Sequence, residues 1–200
     1  MMNKTRLVLA SASPRRRELL EQVGLEFDVI PSNVPEEPIH GETPEEHVVR
    51  LSVDKAREVA KRFTGSDERW IIGSDTIVLS EGKVLGKPEN DKDAVRMLNM
   101  LSGREHCVIT GYCIHNSATG AELKRSVETI VTFKKLKNEE IIGYVRSGEP
   151  MDKAGAYAIQ GLGSFMVEGI RGSYSNVVGL PVCQIVNDLE MTGAGRLFSK

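Results

Sequence analysis

Two hydroxyls and three guanidinium groups crowd into seven residues near the start of this 200-residue chain, Ser11-Ala12-Ser13-Pro14-Arg15-Arg16-Arg17. An apolar run at 6–10 precedes them and has strand character, while Leu19, Leu20 and Val23 follow at helical spacing. Pro14 suits a first helical position, where its missing N–H costs nothing. The segment therefore reads as a strand-to-helix turn, whose unpaired N–H groups suit an anion. Ser11 and Ser13 can add hydroxyl donors, and Arg15 and Arg16 permanently charged forks. Three cations in a first turn oppose the helix dipole, a conflict that a bound polyanion would relieve. The plainer alternative is a solvated basic face behind a serine cap.

Three further segments set polar side chains beside glycine or proline. Gly73-Ser74-Asp75-Thr76 ends an apolar strand at 70–73, and its carboxylate could hold Mg²⁺ or act as a base. The same residues are also ordinary turn chemistry. Gly86-Lys87-Pro88 holds a lysine on a stiff loop, a point charge for phosphate or a solvated turn residue. It is not a P-loop, whose glycine and lysine spacing is absent. In the fourth, Met151 to Tyr157 with Lys153 is followed by Gln160-Gly161-Leu162-Gly163. Its glycines permit close backbone approach, and Gln160 offers both a donor and an acceptor, unless the segment is only a tight loop. Glu36 and Glu37 form an acid pair in a proline-rich loop, and Lys55 lies off the apolar stripe of a long helix, where lysines are usually solvated. His40, His47, His106 and His115 show no metal-ligand spacing.

Positioning these segments requires both strands and helices. The run 27–30 reads as a strand and 31–41 as a loop. Thr43-Pro44-Glu45-Glu46 has capping-box spacing, and Val49, Val53, Ala56, Ala60 and Phe63 form a helical stripe behind it. Short strands at 76–79 and 83–85 flank a turn, and Asn90 or Asp91 can cap a helix carrying Ala94, Met97, Leu98 and Leu101. Long β-rich runs at 107–116 and 122–133 flank a hairpin loop. Asn138 caps a helix to about Val145, a strand is expected at 165–168, a last helix at 182–189 and a frayed tail at 193–195. Helices and strands mix without strict alternation. That predicts an α/β fold with a mixed sheet flanked by helices, in one domain spanning 1–200 without a linker.

Hydrophobic residues make up 40% of the chain and the formal net charge is −2, with mean hydropathy −0.23 and a pI near 6.1. The balance argues against a broad nucleic-acid surface but leaves room for a local basic pocket. No apolar run approaches the roughly 20 residues that span a bilayer. Arginines stand where an export signal would be cleaved. Cys107, Cys113 and Cys183 are odd in number and lack metal spacing, which suits small hydrophobes in a reducing cytoplasm.

Read in order, Leu9 to Arg16, Asp54-Lys55-Ala56, Gly73 to Thr76, Gly86-Lys87-Pro88, Leu101-Ser102-Gly103 with His106 and Thr110, Glu149 to Tyr157, Ile159-Gln160-Gly161 and Val178 to Pro181 resemble the Maf family. The resemblance runs from about Leu7 to Leu189. It implies a nucleoside-triphosphate pyrophosphatase with an α/β fold like that of inosine-triphosphate pyrophosphatases, two lobes around a central cleft, and a homodimer. Members are also linked to inhibition of septum formation. Asp152 to Tyr157 with Ile159-Gln160-Gly161 resembles the branch acting on dTTP and UTP.

The resemblance implies that Asp75 is the catalytic acid and that Arg16, Thr76 and Gln160 read the base. Ser11, Ser13, Arg15, Lys55, Lys87 and Lys153 would face the phosphates, and Glu36 with Asp75 would hold Mg²⁺ or Mn²⁺. One departure concerns the metal loop: Asn33-Val34-Pro35-Glu36-Glu37-Pro38 carries a proline where the family has an acid, and Glu36 is preferred over Glu37.

Overall fold

The computed structural model describes residues 7–63 and 68–198. Arg6, expected to open the first strand, lies outside the described residues. β1 (Leu7–Leu9) is fully buried, and α1 (Pro14–Gln22) starts at the proline and buries Leu19 and Leu20. β2 (Asp28–Val29) is shorter than the expected strand. α2 (Pro44–Ala60) begins with the anticipated capping box. The Thr43 hydroxyl accepts the Glu46 N–H at 3.2 Å, and the Glu46 carboxylate accepts the Thr43 N–H at 2.9 Å.

α2 buries a wider face than the expected stripe. Val48, Leu51, Ser52 and Lys55 are buried along with Val53, Ala56, Val59 and Ala60, Val49 is half-buried, and Phe63 lies beyond the helix end. The reason is close packing on two strands. A Cβ on Gly73 would stand 2.0 Å from the Ser52 carbonyl oxygen, and one on Gly111 would stand 2.4 Å from that of Val48. Only residues without a Cβ let the helix backbone come so near.

β3 (Trp70–Ser80) is one unbroken strand rather than two short ones separated by a turn at Ser74-Asp75. Both residues are buried there, Ser74 fully. β4 (Lys83–Leu85) returns antiparallel on β3. α3 (Asp91–Leu101) is capped by Asn90, whose side chain accepts the Asp93 N–H at 3.1 Å. β5 (Glu105–Asn116) and β6 (Glu122–Phe133) flank the hairpin loop, where the Asn116 side chain accepts the N–H groups of Ala118 and Thr119 at 3.0 and 2.9 Å.

α4 (Asn138–Arg146) takes Asn138 as its first residue, not its cap; Lys137 stands before it. Three 3₁₀ turns follow, Glu149–Asp152, Ala154–Ala156 and Gly161–Met166. The last of them occupies the start of the expected 165–168 strand, so β7 is Val167–Arg171. α5 (Tyr174–Val178) precedes α6 (Val182–Thr192), which runs past its expected end. Gly193 closes it at φ 73°, and Ala194 donates to the Leu189 carbonyl at 2.9 Å, so this tail carries a formed cap instead of fraying.

The seven strands of the described residues form a mixed sheet in the order β2-β1-β3-β5-β6-β7, with β4 beside β3. β1 pairs parallel with β2 and β3, and β6 pairs antiparallel with β7. The fold is thus the expected α/β arrangement with helices about a mixed sheet. The chain divides into two compact units: Met1–Asp75, Thr110–Val127 and Gly179–Lys200 in the first, Thr76–Ile109 and Glu128–Val178 in the second. The first has a core around Val8, Val53, Ala56, Val59, Ile71 and Cys113. The second is centred on Leu98, Leu101, Val131, Phe133, Tyr157 and Met166.

Candidate active site

In the first unit, the close approach of α2 to β3 brings Lys55 to Asp75. Both are 7% exposed, and the ammonium meets Asp75 Oδ1 at 2.7 Å. A lysine alone at that depth would be costly, since a buried charge needs a partner. Glu36, on the loop after β2, supplies a second: its Oε1 lies 2.5 Å from the same ammonium. One cation therefore bridges two carboxylates from different elements, and repulsion between them is offset at the bridge. The expectation of a solvated lysine fails because α2 buries a face wider than its apolar stripe, and Lys55 lies on that face.

Arg16 extends the cluster. From the third residue of α1 its guanidinium donates to the Gly179 carbonyl at 2.8 Å, the Ser74 carbonyl at 2.9 Å and the Ser11 hydroxyl at 3.2 Å. Burial pulls its pKa below the usual range; the negative charges of Asp75 and Glu36 push it back up, and Arg15 adds to the fall. Arginine stays protonated regardless, so the first unit gathers two cations and two acids around one point. The Ser11 hydroxyl also accepts the Ser13 N–H at 3.2 Å, which shapes the turn into α1. Ser13 and Arg15 are half-buried at the head of that helix. Ser13 occupies the cap position without a side-chain capping bond. Arg17 turns away to Glu21 at 3.2 Å. Hence Arg15 and Arg16 are both half-buried, Arg16 bonding to Gly179, Ser74 and Ser11, while Arg17 forms a surface pair.

Could this cluster hold a divalent cation? Asp75 and Glu36 are hard oxygen donors already converging on a single positive centre, the ammonium nitrogen. Among the described residues no three histidines, cysteines or acids gather as a metal cage. Two carboxylates without a cage suit Mg²⁺, which keeps waters and takes further ligands from substrate phosphates. Glu37 contributes its carbonyl, not its carboxylate, to the loop's anchoring, accepting from Arg50 at 3.1 Å. Of the two acids it is Glu36 whose carboxylate meets the Lys55 ammonium.

The remaining expected residues lie in the second unit. Thr76 follows Asp75 directly on β3 and is half-buried. Lys87 is exposed beside the buried Pro88. The Gly86 carbonyl accepts the Gly155 N–H at 3.0 Å, which ties the Lys87 loop to the Lys153 segment. Lys153 donates to the Glu149 carbonyl and to Asp152, both at 2.6 Å. Gln160 is half-buried and stands at the cap of the last 3₁₀ turn. Below this segment His106 Nε2 and Tyr157 Oη share a hydrogen bond of 2.7 Å. Burial pushes His106 down to about 4 and raises the Tyr157 phenol. This histidine is accordingly a neutral core residue on β5. The backbone acceptors Ser74 and Gly179 carry no side-chain signature, and only the run Val178 to Pro181 hinted at the second of them.

A mixed-sheet α/β protein with a buried lysine shared by two carboxylates, and an arginine beside it, is the class that fold and cluster define. The chain belongs to the Maf family: the model of Maf-like proteins matches residues 6–192. It is 57% identical over 194 residues to a protein of Geobacter metallireducens named dTTP/UTP pyrophosphatase, covering 97% of this chain and all of the relative. A protein of the same name from Syntrophotalea carbinolica is 56% identical over 193 residues, 96% of this chain and 87% of the relative. Another from Thermococcus gammatolerans is 54% identical over 176 residues, 88% and 91% of the two chains.

Proposed function

We infer that this chain is a nucleoside-triphosphate pyrophosphatase that hydrolyses dTTP and UTP to the monophosphate and pyrophosphate. The observation that carries the chemistry is the Lys55 ammonium bridging Asp75 and Glu36 at 2.7 and 2.5 Å, beside Arg16. Relatives identical to this chain at more than half of the aligned positions, and named for that substrate pair, support the choice of base.

In this reading water attacks the α-phosphorus. A new P–O bond forms, the α-β bridging bond breaks, and pyrophosphate leaves. Asp75 takes the proton of the attacking water, and with Glu36 it would hold Mg²⁺ or Mn²⁺. When bound, that cation offsets phosphate charge and makes its water more acidic. Lys55 and Arg15 offset charge on the phosphates, as do Lys87 and Lys153, so that positioning and electrostatics do most of the work. Ser11 and Ser13 set the turn before α1, where N–H groups favour an anion. Arg16, Thr76 and Gln160 read the base, for a polar pocket rejects a mismatched edge by leaving its own groups unpaired. The protein acts as a cytoplasmic homodimer. Three free thiols, at Cys107, Cys113 and Cys183, suit a reducing compartment. Among the described residues no helix is long and apolar enough to cross a membrane.

The test is to incubate purified protein with Mg²⁺, and separately with Mn²⁺, against dTTP, UTP, CTP, GTP and ITP, and to identify the phosphate released. Pyrophosphate mainly from dTTP and UTP is expected. Orthophosphate would place the cut at another bond. Pyrophosphate mainly from a purine would keep the reaction and remove the roles given to Thr76 and Gln160.

A further inference from the structure

Within the second unit, Glu149 gathers partners from three directions. Its Oε1 accepts the Tyr144 hydroxyl at 2.9 Å and the Gly163 N–H at 3.0 Å, and its Oε2 accepts the Leu162 N–H at 3.1 Å. Its own carbonyl accepts the Lys153 ammonium at 2.6 Å. Tyr144 extends the set, because its hydroxyl oxygen accepts the Ala158 N–H at 3.2 Å. One residue thus fastens both ends of the segment 153–163, on which Lys153 and Gln160 lie.

The glycines of that segment are explained by the same carboxylate. A Cβ on Gly161, at φ +67°, would stand 2.9 Å from Glu149 Oε2. A Cβ on Gly163 would stand 2.4 Å from the Ala158 carbonyl oxygen and 2.7 Å from the Tyr144 hydroxyl. Side chains there would push the turn off its anchor. Glycines that read in the sequence as room for a ligand therefore make room for Glu149 and Tyr144. Burial pushes the Glu149 carboxyl up, but the Gly163 N–H, the Tyr144 hydroxyl, the Leu162 N–H and the charge of Lys153 more than offset it and hold it below the usual carboxylate range. An ionised acid accepting several N–H and O–H donors makes strong, directional bonds.

We propose that Glu149 is the positioning residue for base selection, fixing the turn that carries Gln160 and the ammonium of Lys153 without touching substrate itself. The proposal rests on the reading of Gln160 as a base-contacting residue. Gln160 caps the 3₁₀ turn whose Leu162 and Gly163 N–H groups end on the carboxylate. A shift of that turn would displace the Gln160 amide, and a small misplacement is costly where recognition is geometric. In Glu149→Gln an amide NH₂ replaces one oxygen and must face a donor, so at least one of the three donors loses its acceptor.

The experiment measures kcat and KM for UTP and CTP in the wild type, Glu149→Gln, Tyr144→Phe and Gln160→Ala, each checked for folding by circular dichroism and thermal midpoint. Glu149→Gln should lower the UTP-over-CTP ratio of kcat/KM by about tenfold, chiefly through KM for UTP, with kcat at saturation kept within about threefold. Tyr144→Phe, which removes one donor and leaves both N–H bonds, should shift the ratio the same way by about threefold. An unchanged ratio in folded Glu149→Gln overturns the proposal, as does an equal fall in kcat for both nucleotides. Should Glu149→Gln fail to fold, the Tyr144→Phe ratio decides. Gln160→Ala separates the two readings. If its ratio is unchanged while that of Glu149→Gln moves, the role of Gln160 falls and the proposal, which acts through that side chain, falls with it; if its ratio drops while that of folded Glu149→Gln does not, Gln160 keeps its role and the proposal alone is overturned. A wild-type protein without preference between UTP and CTP overturns both.

Discussion

Asp188 and Asp75 lie in the same compact unit, 5% and 7% exposed, and each is met by a cation. Asp188, on α6, receives the Arg125 guanidinium on both oxygens, Nε to Oδ2 at 2.8 Å and Nη2 to Oδ1 at 3.1 Å. The Tyr112 hydroxyl adds a third bond to Oδ2 at 2.6 Å. Asp75, on β3, is met at Oδ1 by a lysine, and that lysine also serves Glu36. A planar fork matched to a carboxylate fixes its partner, whereas an ammonium on a four-carbon stem is a point charge that can re-aim. Burial and a cationic partner alone therefore do not mark chemistry. What sets Asp75 apart from Asp188 is that its cation is shared with a second acid, Glu36.

The sharpest way to break this contrast is to neutralise each acid in turn. Asp75→Asn should lower kcat by about 10³-fold, in the range for loss of a proton-transfer group. Its unfolding midpoint in urea should move little, since Lys55 keeps Glu36. Asp188→Ala should do the reverse. Truncated to Ala, so that neither oxygen remains, Asp188 leaves the guanidinium and the phenol without their acceptor, which should cost about 2–3 kcal/mol of stability, with kcat kept within about twofold. A stability loss in Asp75→Asn with its rate intact would exchange the two roles.

Those two residues also illustrate what could be read from the chain and what could not. β1, the turn at Pro14 and α1 were legible because strand character, a proline at the first helical position and a helical spacing agree locally. The capping box at Thr43 and the hairpin at 117–120 were legible for the same reason. β3 was not, because Gly73-Ser74-Asp75 has turn composition. Its extended form depends on α2 packing over Gly73 and on Lys55 answering Asp75, twenty residues away in sequence. The apolar stripe of α2 leaves Lys55 outside it, because a periodic pattern marks a single buried face, and only the resemblance puts this lysine at the site. The acids and cations of the cluster stood out as residue types, and the family resemblance assigned them roles. Their pairing depends on sheet register and helix approach, which no local pattern encodes. Asp188 sits in an ordinary helical stretch and carried no signal at all.

A third buried ionisable group shows what burial does with no opposite charge to answer it. Burial alone pushes His106 down to about 4 from 6.5. A histidine lowered on folding makes the unfolded state the better proton binder. Its contribution to stability is therefore lost as pH falls below the unfolded value, and the loss levels off below about 4. Between pH 7.5 and pH 5 the protein should lose about 2 kcal/mol through this residue. Urea unfolding at both pH values checks it against His106→Phe, in which the difference between the two should shrink by that amount. An unchanged difference would mean that His106 takes up its proton in the folded state without penalty.

The smallest effect falls within the Asp188 network. Tyr112 is fully buried on β5, and its phenol is raised above its usual range first by burial and then by the hydrogen bond to Asp188. Tyr112→Phe removes one donor while both Arg125 contacts remain, and Asp188 Oδ2 still receives Nε at 2.8 Å. Because the acid keeps a partner on each oxygen, the loss should be about 1 kcal/mol, the size of a single hydrogen bond. It should come with no change in kcat or in nucleotide preference. In the double variant with Asp188→Ala the two costs should not add, since both substitutions remove the Tyr112–Asp188 bond. Full additivity would show that Tyr112 and Asp188 stabilise the unit separately, and the picture of a closed, saturated carboxylate set against a shared one would lose its structural half.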